Sequence, residues 1–110
     1  MNGLLISPTA AGLLRALIGR AGVTRDRILL IAVESTDWRS LTFTGERHAL
    51  QLRVPGPESA EIVGLMCSGI EEAELSIPGA IVADIKIAGV DQAADESTNI
   101  SIEALTVAAD

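Results

Sequence analysis

A chain of 110 residues with 48% hydrophobic, 21% charged and 2% aromatic residues has the size and composition of one globular domain, able to bury roughly 65% of its unfolded surface without staples. A single cysteine excludes an internal disulfide framework, and Cys67 with one histidine, His48, is too small a set for zinc, so neither a metal nor a cofactor is expected. A net charge of −7 argues against nucleic acid as the partner, and no apolar run approaches the ~18 residues of a membrane helix.

Ser7 and Pro8 form a helix start, with a capping oxygen followed by a ring that presets the first helical dihedral. The helix is predicted to run to about Ala21, with Gly22 as its stop. Leu13, Leu14, Leu17, Ile18 and Ala21 recur at helical spacing and define its core face. The opposite side carries Gly12, Ala16 and Gly19 with Arg15, a small and weakly polar surface on which a second helix could pack. Arg15 also interrupts the apolar run Leu13 to Ile18, so a secretory leader is not expected and a cytoplasmic location is.

Ile28 to Val33 has the length and continuous apolarity of a central strand buried on both faces. Trp38–Phe43 and His48–Val54 each alternate, and Thr44 to Arg47 supply a turn, so the two runs read as a hairpin. Centring the turn on Gly45 and Glu46 places Phe43 opposite His48 and Trp38 opposite Arg53. Pro55, Gly56 and Pro57 then punctuate the chain and start a second helix at Pro57, with Ile62, Val63, Met66 and Ile70 as its buried stripe and Gly69 as its end. Leu75 and Ile77 suggest a short strand. Ile81, Ala83, Ile85 and Ile87 alternate against Val82, Asp84 and Lys86, and Gly89 to Asn99 reads as an acidic loop. Ile100 and Ile102 open a last strand whose apolar parity shifts at Leu105 and Val107, a shift that a bulge near Glu103 would absorb.

The expected fold is a two-layer α+β sandwich. Its mostly antiparallel sheet of four to six strands carries two helices on one face, in the order α-β-β-(β)-α-(β)-β-β of a ferredoxin-like sandwich with its first strand moved to the end. Residues 1–110 form one domain of two similar halves, 1–54 and 57–110, joined at Pro55-Gly56-Pro57. Charge divides along the same line. The first half holds seven arginines against four acids, about +3, and the second holds Lys86 against eleven acids, about −10, a division that favours reciprocal or head-to-tail association.

No nucleophile elbow, dinucleotide or phosphate loop, or Cys-x-x-Cys pattern occurs. His48 alone titrates near neutrality, and its catalytic use would require an orienting carboxylate such as Glu46, Asp84 or Glu103. Arg39, Arg47 and Arg53 are candidate holders of an anion. Trp38 is either the cover of a sheet edge or an anchor for a partner. The sequence therefore favours a non-enzymatic protein–protein interaction or homo-oligomerisation module, a homodimer or a binder of another protein, without nucleic acid or membrane, its interface carried by Trp38 and Arg53 or by Gly12, Ala16 and Gly19. The alternative is an anionic-ligand binding protein or modest enzyme built on His48 and the three arginines.

Overall fold

The computed structural model describes residues 6–109; residues 1–5 and Asp110, counted in the two expected halves, lie outside the described residues. Its elements are α1 (Pro8–Ala21), β1 (Leu29–Arg39), β2 (Thr44–Val54), α2 (Ser59–Cys67), β3 (Ala80–Gln92) and β4 (Thr98–Ala108). The strands form one antiparallel sheet in the order β1-β2-β4-β3. Leu13, Leu17 and Ala21 of α1 and Ile62, Val63 and Met66 of α2 pack with Leu50, Leu52, Val54, Ile100 and Ile102, which share one side of the central strands. Both helices therefore cover the same face, and among the described residues the other face is open. This is an α+β sandwich with the connectivity of a ferredoxin-like fold whose first strand stands last.

Helix α1 forms where its sequence places it. The Ser7 side chain accepts from the Ala10 amide at 3.1 Å, satisfying one of the free donors of the first turn. Gly22 ends the helix with φ 71°, and its amide closes onto the Gly19 carbonyl, the left-handed cap that glycine adopts without Cβ strain. The second helix begins at Ser59, two residues beyond Pro57. The Ser59 hydroxyl donates to the Glu96 carbonyl at 2.6 Å and meets Thr98 at 2.8 Å, tying the start of α2 to the turn before β4.

The first hairpin differs from the sequence expectation. Residues 29–39 make one strand at the sheet edge, so Ile28–Val33 is neither central nor covered on both sides, and Ile31 is half exposed at a bulge. The turn falls at Ser40–Phe43, where the Ser40 Oγ accepts from the amides of Thr42 and Phe43 and the Ser40 amide donates to the Phe43 carbonyl. Gly45, which resembled a turn residue, is inside β2. A Cβ there would lie 1.9 Å from the Thr106 carbonyl oxygen, so the glycine is required by close approach of backbone. Trp38 consequently pairs with Gly45 instead of Arg53, and His48 pairs with Ser35 instead of Phe43.

The second half corrects three further expectations. Leu75 and Ile77 form no strand, only a single bridge from Ile77 to Ala80. The supposed acidic loop is mostly strand, with β3 running to Gln92 and a tight turn before β4. Finally, β4 is regular from Thr98 to Val107, and the irregularities lie in its neighbour β3, between Val82 and Asp84 and between Ile87 and Gly89. An unbroken period of two sends Leu105 and Val107 to the open face, while the bulge at Ala83 sends Ile81 there and keeps Ile85 and Ile87 inside.

Candidate functional site

The open face of the sheet is built from residues that face one another across all four strands. At the end nearest the β1–β2 turn, one row reads Trp38, Gly45, Val107, Ile81. The next reads Thr36, Arg47, Leu105, Asp84, and the third Glu34, Ala49, Glu103, Lys86. The first row is apolar. Ile81 is 59% exposed there, and Phe43 stands exposed at the adjoining turn. The following rows are charged, with Arg47 and Asp84 in one and Glu34, Glu103 and Lys86 in the next, and Lys86 lies 3.5 Å from Glu103. Glu34, Thr36, Arg47, Asp84, Lys86 and Glu103 surround a shallow depression of about 320 Å³.

Trp38 is a half-buried lid at this end. Its indole N–H donates to the Thr106 carbonyl at 3.2 Å, and its ring covers Gly45. An aromatic ring over a strand glycine restores the side-chain contact that the glycine lacks. One side of the indole thus serves the fold, and the remainder joins Val107 and Ile81 in an apolar surface.

His48 lies on the other face, 2% exposed, beneath the start of α1. Nδ1 is 2.8 Å from the Ser35 hydroxyl and Nε2 is 3.0 Å from the Thr106 hydroxyl, which donates to the Glu46 carbonyl. This arrangement closes with Ser35 donating to Nδ1 and Nε2–H donating to Thr106. The Glu46 carboxylate is 3.7 Å from Nε2 and accepts from the Ser7 hydroxyl at 2.8 Å. Burial pushes the His48 pKa below its ordinary 6.5, and the Glu46 charge opposes that shift. The cluster thereby pins β1, β2, β4 and the helix cap to one another.

The remaining sequence candidates are dispersed. Arg47 points to the face opposite His48. Arg53 binds Asp95 at 2.6 Å, and the Asp95 carboxyl is held below the usual range by the Ser97 hydroxyl and amide and then by Arg53. Arg39 is exposed at the end of β1. Gly12 is buried under Ile77 and Pro78, Ala16 is half buried, and Gly19 borders open space, so the three do not make one surface. Cys67 is half buried, and burial raises its thiol above the ordinary value against the pull of Arg20, which leaves it a poor nucleophile. Sequence reasoning missed the exposed apolar row; its signal was the parity change at Leu105 and Val107. Among the described residues, no helix is long and apolar enough to cross a membrane.

Comparison of the chain with protein-family models and with curated proteins finds no match. The site thus consists of a half-apolar, charge-patterned sheet face and, on the other face, a satisfied histidine cluster that holds elements together.

Proposed function

We propose that this chain is a non-enzymatic interaction module that forms a homodimer through the open face of its sheet. The apolar row of Trp38, Val107 and Ile81 beside charged rows supports this reading, because apolar area backed by patterned charge distinguishes a docking surface from a merely solvated one. A two-fold axis along the strands, between β2 and β4, lays the β1–β2 hairpin of one copy over the β3–β4 hairpin of the other. Trp38 then meets the partner's Ile81, Glu34 meets the partner's Lys86, and Arg47 meets the partner's Leu105, flanked by acids. The β1–β2 hairpin, in which Arg39, Arg47 and Arg53 balance Glu34, Asp37 and Glu46, then covers the partner's β3–β4 hairpin, where acids outnumber Lys86.

The size is adequate. Four strands of at least eleven residues span about 19 by 35 Å, on the order of 650 Å² in flat projection and close to the ~800 Å² per partner of a standard interface. The alternative, an anionic-ligand site or enzyme on His48 and the arginines, draws no support from the geometry: His48 borders the same depression as Arg47 but its buried ring lies on the opposite face, and Arg39 and Arg53 stand elsewhere. A thiol kept unreactive by burial suits a reducing compartment, and we place the module in the cytoplasm.

Charge exchange tests the proposed register. Glu34→Lys and Lys86→Glu should each weaken dimerisation about 25-fold, about fivefold for each of the two symmetry-related pairs in the dimer, and the double variant should recover most of the loss. A double variant as weak as the product of the two singles contradicts this pairing.

A further inference from the structure

Beside β1, on the helix-bearing side of the molecule and away from the proposed dimer face, lies a groove of about 600 Å³. Ile28 forms its buried floor, half-buried Ile6, Leu14, Ile18 and Leu30 form its walls, and Ala11 and Gly19 leave room along α1. It exists because α1 turns Leu13 and Leu17 down onto the central strands, leaving the start of the edge strand without a covering side chain among the described residues. Arg15 and Arg25 line the same groove. Among the described residues neither takes part in an ion pair, whereas Arg27 and Arg53 do.

An apolar cavity of this size with a few charged groups at its margin is the usual form of a small-molecule site. We propose that the groove binds a free long-chain carboxylate, its hydrocarbon tail along Leu14, Ile18, Ile28 and Leu30 and its anionic head on an arginine of the lining, Arg15 or Arg25. Charge selects this occupant. A second copy docked here about a two-fold axis would set these arginines against their own counterparts, and a chain of net charge −7 is repelled by an anionic bilayer. A single carboxylate needs only one of these guanidiniums and meets the net charge with one charge of its own, where a bilayer presents many.

The test is calorimetric titration of the full-length protein with sodium decanoate below its micellar concentration, with 1-decanol and sodium acetate as tail-only and head-only probes. Decanoate should saturate at one per chain, at least tenfold more tightly than decanol, and acetate should give no saturation. A Cβ at Gly19 meets nothing within 4 Å, so Gly19→Phe should fill the groove and reduce decanoate affinity at least tenfold while leaving the thermal midpoint unchanged or higher. Arg15→Gln with Arg25→Gln should bring decanoate down to the affinity of decanol. Failure of decanoate to bind, unchanged affinity in Gly19→Phe, or equal binding of decanol would each overturn the assignment. So would cosedimentation with phosphatidylglycerol vesicles that Gly19→Phe abolishes, which would assign the groove to a membrane surface. The oligomeric state should be the same in Gly19→Phe and the parent protein, so failure of this site is separable from failure of the dimer.

Discussion

His48 shows how a residue that could carry chemistry is instead committed to architecture. Both ring nitrogens are engaged by hydroxyls and the side chain is buried, so protonation would break the donor order and place a charge where solvent cannot reach it. Its folded pKa lies below its unfolded one, the unfolded chain therefore binds the proton more readily, and stability rises with pH across that interval. The contribution is complete above about pH 6.5 and is lost as pH falls toward the depressed folded value. Thermal unfolding should show a midpoint that drops between pH 7 and pH 5, and His48→Gln should remove that slope while lowering the midpoint throughout. The exposed carboxylates Asp26 and Asp95, whose folded values are depressed by hydrogen bonds from Thr24 and Ser97, act in a separate window below about pH 4. Gly45 is equally unforgiving for a steric reason. Gly45→Ala should cost about 3 kcal/mol or more, because a Cβ against the Thr106 carbonyl and the Trp38 indole must spread β2 from β4; chemical denaturation measures the loss.

Among the elements, α1 was legible because capping chemistry is local: Ser7, Pro8 and Gly22 act on amides within a turn of themselves. The hairpin was not, because Gly45 has two physical uses, freedom in a turn and absence of a side chain in a strand, and only the contact from Thr106, sixty residues away, decides between them. The Leu105 and Val107 parity was visible as a pattern but misassigned to a bulge in β4. It records instead a regular strand that presents Leu105 and Val107 to the open face while polar Thr106 takes the helix side between them. Glycines of α1 separate in the same way. Gly12→Ala should destabilise, since its Cβ would come 2.8 Å from the buried Ile77 side chain, whereas Gly19→Ala meets open space and should stabilise by about 0.5–1 kcal/mol through helix propensity. Denaturant midpoints of the two variants should therefore move in opposite directions from the parent.

For the molecule as a whole, the two halves of the chain lie side by side in the sheet, but the arginine excess of the first half stays outside it, at Arg15, Arg20, Arg25 and Arg27. The β1–β2 hairpin, where Arg39, Arg47 and Arg53 are balanced by Glu34, Asp37 and Glu46, lies beside the β4–β3 hairpin, where Asp84, Asp91 and Glu103 outnumber Lys86. Which face this charge would serve was illegible, because it depends on the β3 bulge that turns Ile81 outward and on the pairing that brings Trp38 over Gly45. The proposed dimer uses both. Its apolar row makes it persist in salt, while its charged rows set register and rate more than affinity. Ile81 is the sharpest probe of that interface, since it is exposed in the monomer and contributes little to the core. Sedimentation velocity over a range of concentrations should find the parent protein dimeric and Ile81→Asp monomeric, with the same thermal midpoint once both are compared as monomers. A parent chain that stays monomeric at every concentration, or a dimer that survives Ile81→Asp undiminished, would contradict association through the open face of the sheet.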